Sequence, residues 1–246
     1  MPDYLNSIGL SFLQNTKHTR EEILNRETKE NITPTQAFKQ YQGTPIIDLP
    51  RFDPDEKDIW QALLKRRSIR KYKKRALSLR SLSKLLWAAQ GITARVGNYY
   101  LRTAPSAGAL YPIETYLLIN DIERVPNGIY HYNVIFGHLE ELSIGDYGKE
   151  LGSCCLGQPM CWNAQVVFIW SSVSRRTMSK YGSRGIRYVF MDVAHICQNV
   201  LIAASALGLG ACPIGAFFDD EVNELLGLDG IEESVIYLAS VGIPKE

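Results

Sequence analysis

The pattern of hydrophobic and polar positions divides the chain into a polar N-terminal part and a longer part in which helical and strand patterns alternate. Residues 1 to about 45 carry only scattered apolar positions, and the segment TPIIDLPRFDP, with three prolines, then predicts an extended connector. We therefore expect an N-terminal arm and connector over residues 1–57 and one folded domain over residues 58–246.

Two helices are predicted at the start of this domain. Apolar positions recur at helical spacing in DIWQALLKRRS, from Asp58, and again in SLRSLSKLLWAAQGI, where Ser78 or Ser81 would be the N-cap and the helix closes near Gly91. Short runs rich in β-branched and aromatic residues predict five strands: TYLLIN, GIYHYNV, HLEELS, AQVVFIWSS and SVIYLASVG. Strands that alternate irregularly with helices indicate the α+β class, with helices packed around a central, largely antiparallel sheet.

A long apolar helix is predicted further along the chain. Residues 193–218 contain no Asp, Glu, Lys or Arg, and this stretch is long enough to span a bilayer. Polar side chains nevertheless share one narrow stripe of the helix, at Asp192, His195, Gln198 and Asn199. Glycines at 208 and 210 and a proline at 213 then end it early. We therefore expect a central helix that is buried in the core or in a subunit interface, and no membrane span.

The charge is concentrated in one short segment. The chain of 246 residues has a formal net charge of +1, yet eight of the eleven residues in the run KRRSIRKYKKR (65–75) are basic. A nucleic-acid-binding protein usually carries a basic excess over its whole surface, so near-neutrality argues against that class. A small anionic ligand is favoured, although a solvated basic helix end or a nucleic-acid patch stays an alternative for this segment alone.

The order of residue types in this segment suits one phosphate group. Guanidinium groups at Arg66, Arg67 and Arg70 can make bidentate contacts with phosphate oxygens. The small hydroxyl of Ser68 can donate to the same oxygens.

The cysteines and the N-terminus indicate a reducing compartment. The five cysteines are odd in number and lack paired CxxC spacing, so we expect reduced thiols and no metal site. The start MPDYLNSIGLSF has no basic region followed by an apolar core and a cleavage site, and a cytoplasmic location is the default expectation.

Two segments of small residues could form a backbone wall against a flat ring. The run PSAGALYP (105–112) offers almost no side-chain bulk before its leucine, and GLGACPIG (208–215) leads into Pro213, Ile214, Gly215 and Ala216, whose amides could face a ligand. Ordinary alternatives are a loop that caps a following helix for the first and a routine turn between helix and strand for the second. Neither a GxGxxG fingerprint between strand and helix nor a GxxxxGK[ST] loop is present.

Taken in order, RRSIRKY, PSAGALYP and ALGLGACPIGAF resemble the FMN-dependent nitroreductase family, over roughly residues 58–244. PSAGALYPIE, SKYGSRGIRY and NTKHTREE are most similar to the SagB-type dehydrogenases, a branch that includes azoline oxidases of peptide-tailoring clusters. The resemblance implies a nitroreductase-like fold, FMN as cofactor, NAD(P)H as a potential co-substrate and a homodimer with a domain-sized interface. A small molecule or a peptide would be the substrate.

The resemblance also implies roles for individual residues. Arg66, Arg67, Ser68 and Arg70 resemble the family's contacts to the FMN phosphate and ribityl chain. Pro105, Ser106, Ala107 and Gly108 look like the wall beside the isoalloxazine ring, which the other subunit commonly supplies. Pro213, Ile214, Gly215 and Ala216 resemble the segment that faces the redox edge of the flavin, with an amide near N5. Lys245 stands in for a C-terminal basic residue that reaches the phosphate in many family members.

Two positions depart from the family pattern, and one pair suggests catalysis. The chain given ends at VGIPKE, which makes Lys245 a terminal substitute, and Gly215 stands where simple nitroreductases often have an acidic residue. Lys180 and Tyr181 resemble the lysine-tyrosine element of azoline oxidases. An unprotonated lysine or a tyrosinate on this predicted loop would be a plausible base for azoline oxidation, and a solvated basic surface is the alternative.

The central helix also carries Asp192 and His195, a spacing that suggests a catalytic dyad. A buried polar stripe more often satisfies a neighbouring backbone or a subunit contact, and we favour that interpretation. Three functions therefore stay open: a SagB-like FMN oxidoreductase, an NAD(P)H-dependent nitro or quinone reductase, and a non-catalytic flavin-binding subunit of a peptide-modifying complex.

Overall fold

The computed structural model describes residues 4–15, 17, 19–21, 59–97 and 99–245. The helices are α1 (Ile8–Asn15), α2 (Ile59–Lys65), α3 (Leu79–Gln90), α4 (Gly148–Cys154), α5 (Met160–Asn163), α6 (Arg175–Tyr181), α7 (Gly185–Ala206) and α8 (Asp219–Leu226). The strands are β1 (Ile92–Val96), β2 (Tyr99–Arg102), β3 (Ile113–Ile119), β4 (Gly128–Asn133), β5 (His138–Ile144), β6 (Val166–Ser172), β7 (Gly210–Ile214) and β8 (Ser234–Gly242). Short 3₁₀ turns lie at Tyr4–Asn6, Ala107–Ala109 and Gly182–Arg184.

Six strands form a central sheet in the order β5-β4-β3-β6-β8-β7, and every neighbouring pair is antiparallel. The five predicted strands are five of the six strands in this sheet, namely β3, β4, β5, β6 and β8. The α+β class with an antiparallel sheet is therefore confirmed. β1 and β2 make a separate two-stranded hairpin. β7 was not predicted as a strand, and its proline at 213 is accommodated because β7 is the last strand in this order.

Helices cover both faces of the sheet. Alternate residues of β6 point to opposite sides, so Val166, Phe168 and Trp170 join one core and Val167 and Ile169 join the other. The first core is packed mainly by α3 and α7, and the second by α4, α5 and α8. Because both faces are covered, the central strands read as nearly continuous apolar runs.

The central helix α7 runs along the first core. Ten of its residues are buried at spacings of three and four, from Gly185 to Ala204, and it ends at Ala206 as the following glycines predicted. Its other side is exposed at Phe190 and Met191. The stretch Arg175–Ala206 is long and apolar enough to cross a membrane by composition alone, but the buried face of α7 packs against the sheet of its own chain. Such a helix is only weak evidence for a membrane span.

The second predicted helix is confirmed with its N-cap. α3 begins at Leu79, and the side chain of Ser78 accepts a hydrogen bond from the Ser81 amide at 3.2 Å. Its buried residues include Leu82, Leu85 and Leu86. The first predicted helix, α2, stops at Lys65, so the basic segment itself is not helical.

Part of the predicted N-terminal arm packs on the domain. Gly9 of α1 approaches Ile186 closely, and Lys17 forms an ion pair with Asp220 at 2.6 Å. The rest of the arm and connector, residues 22–58, lies outside the described residues. The boundary predicted between residues 57 and 58 therefore stays a prediction.

Candidate active site

The basic segment runs beside β7 as an extra extended strand. Ser68 bridges to Ala211 in the parallel sense, and the Ile69 amide donates to the Ala211 carbonyl at 3.0 Å. Gly210 permits this approach, because a Cβ there would lie only 2.7 Å from Cβ and Cγ2 of Ile69. The segment is thus held at a defined distance from the strand that leads to Gly215.

The buried Tyr72 fixes the far end of the segment. Its hydroxyl donates to the Ile69 carbonyl at 2.6 Å and lies 2.8 Å from the Ser240 hydroxyl. Burial raises the pKa of this phenol well above its usual value, so it stays protonated. A neutral, hydrogen-bonded tyrosine therefore anchors a segment whose other side chains are mostly cationic.

The side chains of the predicted phosphate-binding residues do not all have the same surroundings. Arg67 folds back on α2 and donates through Nη1 to the Leu64 and Arg66 carbonyls at 2.9 and 2.8 Å. It therefore caps the C-terminal end of that helix, where a cation is favoured. Ser68 and Arg70 are exposed along the extended segment, and Arg66 is partly exposed.

Lys245 lies beside the basic segment. Its amide donates to the Lys71 carbonyl at 3.0 Å, and its side chain lines a groove of about 470 Å³ together with Arg70. Lys71, Lys74, Gln158 and Asn163 also line this groove. The structure thus brings Lys245 and Arg70 together in one groove, and their role as phosphate ligands stays a prediction.

The Pro213–Ala216 segment leaves the end of β7 toward solvent. Ile214 is buried, whereas Gly215 and Ala216 are exposed. A Cβ on Gly215 would meet only the Tyr237 ring, at 3.8 Å, so the space in front of this backbone is open. Within the described part of the chain, the amides of Gly215 and Ala216 make no backbone hydrogen bond outside the strand ladders. This exposed backbone can therefore be reached by a ligand.

The turn at residues 106–111 has an unusual backbone. Gly108, Ala109 and Tyr111 have φ values of 64°, 54° and 45°, a region that side chains with a Cβ rarely adopt. Such strain persists only where surrounding contacts fix the backbone, and it concentrates at functional sites. The alternative interpretation of this segment, a loop that caps a following helix, is wrong, since the next long element is β3 from Ile113.

Lys180 and Tyr181 contact this turn. They are the last two residues of α6, so the prediction of a loop is wrong at this point. A Cβ built on Gly108 would lie 2.8 Å from the Tyr181 hydroxyl and 3.0 Å from Lys180 Nζ. Lys180 Nζ itself lies 5.4 Å from the centre of the Tyr181 ring. Two groups capable of moving protons thus meet a glycine of the predicted flavin wall.

Among the described residues, the hydrogen-bond partners of Asp192 are in the turn, and His195 is not one of them. The Asp192 carboxylate accepts hydrogen bonds from the Ser106 hydroxyl at 2.6 Å and from the Ala107 amide at 3.3 Å. His195 is exposed one turn further along α7. The interpretation that the polar stripe satisfies a neighbouring backbone is confirmed for Asp192. Burial raises the pKa of this carboxyl group, although its two hydrogen bonds and the nearby His195 act in the opposite direction.

Two residues that the sequence did not single out, Arg102 and Arg176, also contact the turn. The Arg102 guanidinium lies 4.3 Å from the centre of the Tyr111 ring, and the Arg102 amide donates to the Tyr111 hydroxyl at 3.2 Å. Arg176, one turn before Lys180 on α6, donates to the Tyr111 carbonyl at 3.1 Å. These contacts join segments that are far apart in sequence, so no local pattern could have indicated them.

Two groups of predicted site residues lie at opposite ends of the sheet. Pairing places Ser68 level with Ala211, Val241, Val166 and Ile119, whereas the turn precedes Ile113 at the other end of β3. Six residues along β3 and four strand spacings across the sheet correspond to about 20 Å and about 19 Å. The Ser68 end of the basic segment and the wall thus do not adjoin one another within a single chain.

The five cysteines are all buried and unpaired. Burial raises the pKa of the Cys154 thiol to about 11 and that of Cys197 to about 12, which keeps both thiols protonated at neutral pH. These cysteines fit the expectation of structural thiols. Among the described residues no cluster of three or more His, Cys, Asp or Glu is placed to hold a metal ion.

Comparison with known proteins identifies the family. The model of the nitroreductase family matches residues 63–243, which is most of the chain. The chain belongs to the nitroreductase family. It is 40% identical over 199 residues to a protein of Methanocaldococcus jannaschii named "Putative nitroreductase MJ1384", which covers 81% of this chain and 96% of that protein.

A second relative is a peptide-processing protein. The chain is 28% identical over 172 residues to the Microcin B17-processing protein McbC of Escherichia coli, which covers 63% of this chain and 58% of McbC. The chain thus spans little more than half the length of that relative. The predicted resemblance to the nitroreductase family, and within it to the SagB-like branch, is confirmed.

Solved structures show the same fold. The Escherichia coli microcin synthetase McbBCD complex, with truncated pro-MccB17 bound, contains a neighbour with a TM-score of 0.68 at 20% identity, over 97% of this chain and 94% of that one. A nitroreductase family structure from Desulfovibrio desulfuricans in complex with FMN has a TM-score of 0.55 at 22% identity, over 78% and 89% of the two chains. The nitroreductase-like fold is therefore confirmed.

Proposed function

We propose that this nitroreductase-family protein is an FMN-dependent oxidoreductase of the SagB type that oxidises an azoline ring of a peptide to an azole. The observation that carries the proposal is the contact of Lys180 and Tyr181 with Gly108. A pair of proton-transfer groups at the predicted flavin wall suits a reaction in which a substrate loses a hydride and a proton. The kinship with a peptide-processing relative supports the substrate class.

The residues present fit FMN. Arg70 and Lys245 share one groove, while Arg66 and Ser68 lie earlier on the same extended segment, so cations and a hydroxyl are available for one phosphate. The exposed amides at Gly215 and Ala216, with open space before them, suit a flat ring whose polar edge accepts hydrogen bonds. When bound, FMN supplies the acceptor for a hydride.

The side chains of the protein would direct the accompanying proton. Lys180 or Tyr181, in its deprotonated form, accepts the proton that the azoline ring loses as the hydride leaves. The exposed backbone at Gly215 and Ala216 would face the polar edge of the bound ring, where amide donors would favour added negative charge with little reorganisation. The Pro105–Gly108 wall excludes water from one side.

The active unit would be a homodimer in which each site takes residues from both subunits. The Ser68 end of the basic segment and the wall do not adjoin within a single chain, so a second copy would bring its Gly108, Lys180 and Tyr181 to the flavin held by the first. Exposed apolar side chains on α2 and α7 suit such an interface: Ile59, Trp60, Leu63, Leu64, Phe190 and Met191.

The cofactor is tested first. Purified protein should be yellow and should release FMN, not FAD, on denaturation. Colourless protein that also fails to bind added FMN would refute the proposal. Reduction of the bound flavin by NADH or NADPH with turnover of a nitroaromatic or quinone acceptor, and no oxidation of a thiazoline peptide, would instead indicate the reductase. Flavin binding without either activity would indicate a non-catalytic subunit.

The catalytic pair is tested with a synthetic peptide that contains one thiazoline ring. Replacing Lys180 with Ala and Tyr181 with Phe should leave the FMN content unchanged and lower azole formation by on the order of 10² or more. Equal rates in the variants and the parent would exclude the pair, and loss of FMN would make them cofactor ligands.

The shared site is tested by mixing two inactive variants. After reassociation of Arg70→Ala with Lys180→Ala subunits, each mixed dimer contains one site with both defects and one intact site. About a quarter of the parental activity should return at equal amounts, since half of the dimers are mixed. No recovery would place both groups of residues in the same subunit's site.

A further inference from the structure

The charged side chain of Asp192 is an exception in the described part of this chain. It is 4% exposed and is the only Asp, Glu, Lys or Arg there that is buried. A buried carboxylate is costly unless hydrogen bonds compensate it, and its removal leaves the groups that donate to it without a partner. Retaining a charge at this position therefore calls for a role beyond packing.

The carboxylate of Asp192 acts on a single element, the strained turn at residues 106–111. One oxygen accepts the Ser106 hydroxyl and the other accepts the Ala107 amide. The Ser106 oxygen in turn accepts the Tyr111 amide at 2.9 Å. The chain of contacts from Asp192 through Ser106 to Tyr111 therefore closes the turn on itself at its two ends.

The turn needs such a closure. Ala109 and Tyr111 adopt the left-handed region without being glycine, which costs roughly 1–2 kcal/mol for each residue. A charge-assisted hydrogen bond is shorter and stronger than a neutral one, and here the 2.6 Å contact to Ser106 is of that type. Without the carboxylate, relaxation of Ala109 and Tyr111 toward ordinary φ values would change the path of Gly108, which directly precedes Ala109.

Gly108 connects this backbone to the proton-transfer pair. The Tyr181 hydroxyl and Lys180 Nζ lie next to the position that a Cβ on Gly108 would occupy. Any shift of the turn therefore changes the space that these two groups have. Arg176 lies on the same helix as Lys180, so α6 contacts the turn at two points. The shape of the turn thus sets where the ends of Lys180 and Tyr181 lie.

We infer that Asp192 is a positioning residue, whose carboxylate holds the 106–111 turn in the strained shape against which Lys180 and Tyr181 are set. The effect of Asp192 on catalysis through Lys180 and Tyr181 rests on the proposed function, whereas its effect on the shape of the turn does not.

Hydrogen exchange tests the control of the turn without any substrate. The amides of Ala107, Ala109 and Tyr111 are hydrogen-bonded within or to the turn, so each reports on its opening. In Asp192→Ala their exchange, followed by NMR, should be about 10- to 100-fold faster, the range for loss of a hydrogen bond to a charged group. Asp192→Asn keeps one acceptor and should give a smaller increase. The exposed Asp146→Asn serves as the matched control and should change none of the three amides.

A merely structural role would give a different result. Exchange that rises throughout the protein, together with a lower melting temperature in both Asp192 variants, would overturn the inference. Unchanged exchange of the three amides would overturn it as well, because Arg102 and Arg176 would then hold the turn alone. If Asp192→Ala does not fold, the Asn variant decides.

A double-mutant cycle on azole formation connects the turn to the pair. Lys180→Ala should lower the rate much less in the Asp192→Asn background than in the parent, because the lysine would already be misplaced. Additive effects would separate Asp192 from the pair and overturn the positioning role. Failure of the parent to oxidise the thiazoline peptide would instead refute the proposed function and leave the exchange result standing.

Discussion

Gly108→Ala tests the contact between the turn and the proton-transfer pair most directly. The new methyl group would stand 2.8 Å from the Tyr181 hydroxyl and 3.0 Å from Lys180 Nζ. Ordinary contacts of a carbon atom begin near about 3.5 Å, so these two groups would have to move by about half an ångström or more. Both are the free ends of flexible side chains, and the movement should cost little stability.

The backbone contributes a separate and predictable cost. At φ 64° an alanine is disfavoured relative to glycine by about 1 kcal/mol, which for a chain of this size lowers the melting temperature by about 2–4 °C. Gly137 has φ 66° and no atom within 4 Å of a built Cβ, so Gly137→Ala has the same backbone cost without the contact. The two variants should therefore be equally stable.

Their activities should differ. A misplacement of about 1 Å near a reacting centre can cost on the order of 10²-fold, so a shift of half that size should lower the rate by about 10-fold. Azole formation from the thiazoline peptide, followed by mass spectrometry as the loss of two hydrogens, measures this. Gly137→Ala should keep the parental rate. A crystal structure of Gly108→Ala would show the displacement of Lys180 and Tyr181 directly.

Equal rates for Gly108→Ala and Gly137→Ala would refute the reasoning. A slower Gly108→Ala whose defect persists in full after Lys180 and Tyr181 have also been replaced would refute it too, since the methyl group would then act on the flavin wall itself. The FMN dissociation constant of each variant separates these two outcomes.

Three further outcomes are expected. Arg70→Ala should weaken FMN binding by about 1 to 3 kcal/mol in a fluorescence titration, whereas the exposed Arg80→Ala on α3 should not. Arg20→Ala should lower the melting temperature, less so at high salt, because its guanidinium pairs with Glu221 and lies 4.6 Å from the centre of the Phe218 ring. The hydrogen bond to Glu114 raises the pKa of His131, so stabilisation from this contact is fully present below the usual histidine pKa of about 6.5 and is lost as the pH rises through the raised value. His131→Gln should remove that part of the pH dependence of urea unfolding.

Each outcome has a contrary result. Unchanged FMN affinity would remove Arg70 from the site. An Arg20→Ala melting temperature equal to that of the parent would show that the arm contact contributes nothing. A stability curve of His131→Gln that is parallel to the parental curve above pH 6.5 would assign the pH dependence to other groups.

Most of the fold could be predicted because its strands and helices carry strong local patterns. β6 reads as a continuous apolar run since both of its faces are covered, and Ser78 marks the start of α3 as an N-cap should. β7 was missed, because GACPI has little strand propensity and becomes a strand through its pairing with β8 and the segment at Ser68. The site was predicted only where motifs are contiguous. Gly108 and Lys180 meet although they are 72 positions apart in the sequence, and the part played by Asp192 depends on that meeting.

The separation of the basic segment from the Gly108 surface also has an evolutionary consequence. The proposed homodimer would build two equivalent sites, each from the basic segment of one copy and the Gly108 surface of the other. If the gene were duplicated in tandem, one copy could lose its basic segment and the other its Gly108–Lys180 surface, and one complete site would survive. The arrangement therefore gives each half freedom to diverge, so that a lost site can become a surface for binding another protein.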